Sequence, residues 1–296
     1  MTMSDAEPAR PMLVGRSGND LLLRVGSALV LAPVAIGVAY LGGWVFAVFW
    51  SVAAIVVIWE WMTLVAGADR RSVLMTGIVA VALAAALAAS SVGASDDMRD
   101  LRLAAAPIVL GMGMLASAII APRERGFWAA AGVPYAGAMG LAPIVLRSDP
   151  EFGFVAIIFL FAVVWMTDIA AYFIGRAVGG PKLAPRLSPN KTWSGAIGGL
   201  AGAVLAAALV VKVSGVGAIL AAVLIAIALS IVAQAGDLLE SSIKRRFGAK
   251  DAGALIPGHG GLMDRLDGFV AAAVLACLIG LAHGGLDAPA RGLLIW

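Results

Sequence analysis

Between Ser241 and Asp267 the chain reads S-S-I-K-R-R-F-G-A-K-D-A-G-A-L-I-P-G-H-G-G-L-M-D-R-L-D. Nine of these 27 positions carry a charge or an imidazole: Lys244, Arg245, Arg246, Lys250, Asp251, His259, Asp264, Arg265 and Asp267. In a sequence with only 13% charged residues, such crowding marks a place for chemistry. The residue types point to a polyphosphate and a hard cation. Lysine offers phosphate a point charge and arginine a bidentate fork. The glycines around His259, Gly258, Gly260 and Gly261, let backbone approach a ligand with no side chain between. Asp264 and Asp267 supply oxygen donors of the kind Mg2+ selects.

Helices must hold both ends of this segment for it to act. If the helix before it continues past Gln234, then Asp237, Glu240, Ser241 and Lys244 fall at i, i+3, i+4 and i+7 and form one polar stripe. On the far side, Asp264 and Asp267 share a face in the first turn of the next helix, where the helix dipole favours negative charge. The two helix ends present carboxylates to a common space, suited either to a metal or to a structural salt-bridge cluster. Asp168 is a third candidate: a carboxylate this deep in an apolar run costs roughly 2.5–3.5 kcal/mol to insert. It must face a polar cavity or pair with a cation from a neighbouring helix, and it shares a helical face with Tyr172 and Gly175. The segment from Pro181 to Gly195 is held extended by its prolines and offers Ser188, Lys191 and Thr192 to an anion just before a helix N-terminus. Its alternative is an ordinary basic loop. His259, set between glycines, is a better functional candidate than His283, which is expected to be interfacial.

The remainder of the chain is membrane-like. With 296 residues, 61% of them hydrophobic, and a mean hydropathy of +0.98, it is too apolar for an average soluble protein. Runs of about 20 apolar residues predict an all-α, polytopic membrane protein with about nine spans. These are Leu22–Leu41, Trp44–Ala66, Val73–Val92, Leu103–Ala121, Gly126–Leu146, Phe152–Gly175, Gly195–Val213, Gly215–Ala235 and Gly268–His283, the first two joined by Gly42-Gly43 as a tight hairpin. A cytoplasmic N-terminus leaves 16 of the 21 Lys and Arg residues on the inner side and only Arg99, Arg102, Arg147, Lys212 and Arg291 outside, as the positive-inside rule requires. Both charged connections then face the cytoplasm. Three stretches follow: a disordered cytoplasmic tail to residue 20, N-terminal helices over 21–150 and a catalytic region over 151–296. The basic balance therefore reads as topology rather than nucleic-acid binding. The single cysteine, Cys277, is a small core hydrophobe. Glu60 is expected to be interfacial or paired with a helix rather than catalytic. Trp44, Trp50, Trp59, Trp61, Trp128 and Trp296 are expected to form an aromatic belt. No internal repeat favours a transporter.

The Ser241–Asp267 segment resembles the signature of the phosphatidate cytidylyltransferases (CDP-diacylglycerol synthases): S-x-aliphatic-K-R, four residues, K-D-x-small, two residues, then aliphatic-P-x-H-G-G-aliphatic-x-D-R-aliphatic-D. Every fixed position is present. The Ser188-Pro189-Asn190-Lys191-Thr192-Trp193 stretch is similar to a second segment of that family, with Ser194 where a glutamate is usual. The resemblance covers Asp168 to Asp267. It implies a bacterial inner-membrane enzyme with its site facing the cytoplasm, converting CTP and phosphatidate to CDP-diacylglycerol and pyrophosphate with Mg2+ and potassium as a second ion. The implied metal ligands are Asp237 and Asp264, with Asp267 orienting a ligand. Anions would be held by Lys191, Lys244, Arg245, Lys250 and Arg265 with Ser188. Asp168, Asp251 and His259 complete the implied catalytic set, and Thr192, Ser241, Gly260 and Gly261 the substrate-binding set. A homodimer is compatible with the sequence, though no residue argues for it. The Asp264-Arg265-Leu266-Asp267-Gly268 run faintly resembles the CDP-alcohol phosphotransferase motif, but the following F-V-A-A-A-V-L-A-C lacks that motif's arginine and later aspartates.

Overall fold

The computed structural model describes residues 18–66, 70–253, 255 and 260–296, with side chains described from residue 30 onward. Most of the expected N-terminal tail, and His259, lie outside the described residues. Every backbone polar group needs a partner inside hydrocarbon, and a long apolar run meets that need by becoming a helix. The helices are α1 (Gly18–Leu41), α2 (Gly43–Ala66), α3 (Arg71–Ser91), α4 (Asp96–Ile120), α5 (Arg123–Arg147), α6 (Gly153–Val178), α7 (Trp193–Ser214), α8 (Ile219–Arg246), α9 (Met263–Gly284) and the short α10 (Pro289–Leu294). The nine expected spans fall on α1 to α9. Helices α2 to α9 are long and apolar enough to cross a membrane, and the described apolar part of α1 is the shorter Val30–Leu41. The chain is an all-α, multi-pass membrane protein. The largest shift in bounds is at α8, which runs on from Ala235 to Arg246 and so carries the polar stripe on a continuous helix.

The connection between α6 and α7 corrects one expectation. It is a two-stranded antiparallel hairpin, β1 (Lys182–Ala184) and β2 (Ser188–Thr192), rather than a merely extended loop. Lys182 pairs with Thr192 and Ala184 with Ser188. Pro185 and Pro189 are accommodated because so short a ladder demands few N–H donors.

The core runs through α5, the most buried span (67%), whereas α4 is the least (28%) and leaves its apolar side chains facing outward. Arginines at both ends of α5 fasten its neighbours: Arg125 Nη1 donates to the Val65 carbonyl in the last turn of α2, and Arg147 Nε to the Ala39 carbonyl near the end of α1, both at 2.8 Å. Each satisfies a carbonyl in the helix's terminal turn. Trp50 and Trp61 correct the aromatic-belt expectation, because both are buried between helices. Trp50 stacks on Phe269 of α9 at 4.9 Å, and Trp61 Nε1 donates to the Trp128 carbonyl at 2.8 Å. Trp44, Trp59 and Trp296 remain exposed.

Helices α6 and α7 meet at backbone distance. A Cβ on Gly199 would lie 2.8 Å from the Thr167 carbonyl oxygen, and one on Gly202 2.9 Å from that of Met166. Small residues permit such contact between helices in lipid. Gly199→Val must separate the pair, at roughly 1–3 kcal/mol. It is expected to lower the melting temperature in detergent, and an unchanged melt would overturn the close contact. Behind this seam the buried Thr167 hydroxyl is hydrogen-bonded to the Val163 carbonyl at 2.8 Å and the Ser230 hydroxyl at 2.9 Å, joining α6 to α8.

Candidate active site

Helix α8 has 28 residues, about 42 Å at 1.5 Å per residue, against a hydrocarbon core of about 30 Å. At that length one end outruns the apolar layer, and the charged end is the C-terminal one, closed by Lys244, Arg245 and Arg246, whose turns carry Asp237, Glu240, Ser241 and Lys244. Lys244 is the centre of the stripe. Its Nζ lies 2.9 Å from Glu240 Oε1, one turn back, and 2.6 Å from Asp264 Oδ1 on α9. All three side chains are shielded, at 11%, 1% and 6% exposure for Lys244, Glu240 and Asp264. A lysine enclosed this way offsets two carboxylates that burial would otherwise make costly.

Helix α8 then stops at Phe247 and Gly248, the latter in the left-handed region that favours glycine. The segment beyond it folds back so that backbone serves Asp264. Oδ2 of Asp264 accepts from Gly261 N at 2.8 Å and Ala252 N at 2.9 Å, while Oδ1 takes Lys244. Gly260 has a φ of +81°, and a Cβ on it would lie 2.7 Å from Asp264 Oδ2. The paired glycines thus give room to the chain's own carboxylates, a use that the sequence reading assigned to a ligand. One turn on, Asp267 Oδ1 accepts from Gly268 N at 2.7 Å. Gly236 sets the α8–α9 distance here, since a Cβ on it would meet the Asp267 carbonyl at 2.9 Å. That contact brings Asp237, the next residue on α8, beside the second turn of α9.

The hairpin supplies the opposite wall. Lys191 on β2 pairs with Asp237, with both side chains more than a quarter exposed. Asp168 is exposed on α6 and lies within electrostatic reach of Asp237 and Lys191. Asp267 likewise feels Asp237, Asp168 and Lys244. Thr192 is buried, and its hydroxyl accepts from Gly195 N at 3.1 Å, capping α7. Ser194, where the similar family has glutamate, donates to the Gly179 carbonyl and bonds the Thr192 hydroxyl, tying the start of α7 to the end of α6.

Asp168, Lys191, Asp237, Ser241, Lys244, Asp264 and Asp267 thus converge from α6, β2, α8 and α9. Ser241 Oγ reaches Asp237 Oδ1 at 3.4 Å, a weak contact. Ser188 is half-buried on β2. Arg245, Lys250, Asp251 and Arg265 are exposed around the cluster, with Arg245 Nη1 donating to the Ala249 carbonyl at 3.3 Å. Of the two expectations for Glu60, interfacial or paired with a helix, the structure shows the second: it is buried and its carboxylate accepts from Leu262 N and Met263 N at the start of α9. The signal was available: a lone carboxylate inside an apolar span must have a partner. Glu240 was read as part of the stripe but not of the site, and its burial against Lys244 makes it the support of that lysine.

The donor set fits a divalent cation. Asp168, Asp237, Glu240, Asp264 and Asp267 offer hard oxygens, set against the ammonium groups of Lys191 and Lys244 and the more exposed Arg245, Lys250 and Arg265. Among the described residues no three acidic, histidine or cysteine side chains close a cage around an ion.

A bundle of membrane-spanning helices with a charged cluster where two spans leave the apolar layer defines a polytopic membrane enzyme. The profile of the Cytidylyltransferase family matches residues 22–282, and the chain belongs to that family, making it a nucleotidyltransferase. It is 43% identical over 289 residues to a protein of Brucella suis biovar 1 named phosphatidate cytidylyltransferase, over 92% of this chain and 97% of the relative. The phosphatidate cytidylyltransferase of Brucella melitensis biotype 1 matches with the same identity and coverage. That of Brucella abortus biovar 1 is 43% identical over 280 residues, 88% of this chain and 94% of the relative.

Proposed function

We propose that this enzyme transfers the cytidylyl group of CTP to phosphatidate, giving CDP-diacylglycerol and pyrophosphate at the cytoplasmic face of a bacterial inner membrane. One observation carries the reading: carboxylates and ammonium groups from α6, β2, α8 and α9 meet where spans end, so a lipid phosphate and a soluble nucleotide can both arrive. The excess of Lys and Arg on that side supports a cytoplasmic orientation.

The nucleophile is a phosphate oxygen of phosphatidate, anionic at neutral pH, so no strong general base is needed. It forms a bond to the α-phosphorus of CTP while the α–β anhydride bond breaks, its electron pair leaving with pyrophosphate. The difficulty is electrostatic: two anions must meet and charge must be stabilised as it moves. Lys191 is the more accessible of the two lysines, its side chain more than a quarter exposed, and can exchange Asp237 for a nucleotide phosphate. Lys244 holds Asp264 in place, and Arg245, Lys250 and Arg265 draw the anions in, with Ser188 as a neutral donor. Asp237 and Asp264 would hold a divalent ion, Asp267 orienting them; when bound, the ion supplies Lewis-acid stabilisation and a template for phosphate oxygens. Asp168 closes the wall opposite. A second, potassium ion and a homodimer stay compatible with this arrangement.

The test is incubation of the purified protein with labelled CTP, phosphatidate and Mg2+. The expected result is a lipid-extractable cytidine product formed with equimolar pyrophosphate. Lack of that product from folded protein would overturn the reading.

A further inference from the structure

We propose that Glu60 of α2 is a positioning residue for cytidylyl transfer, capping α9 from across the bundle and so aiming Asp264 and Asp267. The inference rests on the reaction proposed above and concerns a residue outside the 168–267 region. The first N–H groups of a helix have no partner within it, and α9 has no side-chain cap of its own. Glu60 fills the gap from 202 residues away: Oε1 accepts from Leu262 N at 2.9 Å and Oε2 from Met263 N at 2.7 Å. The carboxylate is 1% exposed, so little water competes for these bonds.

Two glycines shape the space it occupies. A Cβ on Gly253 would lie 2.9 Å from Glu60 Oε1, and one on Gly261 2.6 Å from the same atom. Gly261 is therefore held from two sides, its amide on Asp264 Oδ2 and its Cα against Glu60. Three successive amides, of residues 261, 262 and 263, end on two carboxylates, and the first turn of α9 is fixed in rotation as well as position. A helix N-terminus ordinarily attracts phosphate. Here protein carboxylates already fill it, which leaves substrate phosphates to the lysines and arginines. Glu60 touches no substrate in this arrangement, and its loss should disturb the aim of Asp264 and Asp267 more than the capture of CTP.

The experiment compares Glu60→Ala and Glu60→Gln with the wild type in detergent, reading kcat, the KM for CTP and amide hydrogen exchange. A misplacement of about 1 Å in an active site costs on the order of a hundredfold in rate. Glu60→Ala is expected to lose kcat on that order with KM for CTP little changed. Glu60→Gln, which keeps one acceptor oxygen, should lose less. Exchange at Leu262 and Met263 should rise at least about tenfold in Glu60→Ala while the amides of α2 stay protected. Wild-type kcat in Glu60→Ala overturns the proposal, as does unchanged exchange at the two amides or a defect confined to a raised KM. If Glu60→Ala does not fold, Glu60→Gln carries the same three readouts. Should the wild type form no cytidine lipid, the cytidylyltransferase reading falls, while the exchange result still decides whether Glu60 caps α9.

Discussion

Asp237→Asn is expected to purify as a folded protein and to lose turnover by on the order of a thousandfold. The fold should survive because the partner of Asp237 is Lys191, a partly exposed lysine on a two-stranded hairpin that can turn to water when its carboxylate is gone. The other hydrogen bond to the Asp237 side chain among the described residues, from Ser241, is weak at 3.4 Å. Activity should not survive, because the substitution removes one of the two carboxylates proposed to hold the divalent ion and shifts the charge balance where phosphates meet. The check is kcat for CDP-diacylglycerol formation beside a thermal melt. Near-wild-type turnover with an unchanged melt would remove Asp237 from the site.

Lys244→Ala should fail in a different way. Its ammonium lies between Glu240 and Asp264, and truncation leaves two buried carboxylates without their cation. Breaking a buried pair by removing one partner costs roughly 3–5 kcal/mol, a large share of a typical stability of about 5–15 kcal/mol. The expected outcome is a steep loss of monodisperse protein on size exclusion and a lowered melting temperature, with any folded fraction nearly inactive. Arg71→Ala, at an exposed position opening α3, should stay within about 0.5 kcal/mol of the wild type and keep its turnover. Equal behaviour of the two variants would contradict the placement of Lys244.

The helices and much of the site were legible because each left a periodic mark. Asp237, Glu240, Ser241 and Lys244 stand at helical spacing, so a continued α8 had to align them, and Asp264 and Asp267 did the same for the start of α9. Other features left no such mark. Glu60 bonds to backbone amides, which have no residue type, so nothing in the sequence pairs position 60 with 262 and 263. Gly260 and Gly261 announced a close approach but not what approaches. Trp50 and Trp61 have the composition of lipid-facing tryptophans, and only the packing of α2 against α9 and α5 buries them. The hairpin carries no alternation in sequence because its strands, of three and five residues, are too short for one to emerge.

The arginines on the side opposite the site have a consequence for how the chain enters the membrane. In the proposed orientation Arg99, Arg102 and Arg147 must cross during synthesis, against a potential that opposes each positive charge by about 2.3 kcal/mol per 100 mV. Arg99 sits among Asp96, Asp100 and Asp287, two of which belong to its own turn of α4. Arg102 lies on the Ser90 carbonyl and Arg147 on that of Ala39. The stretch around Arg99 can therefore be carried across as a near-neutral unit, its acids translocating beside it. On arrival Arg102 and Arg147 latch onto neighbouring helix ends, so the cations that run against the topology bias also resist being drawn back.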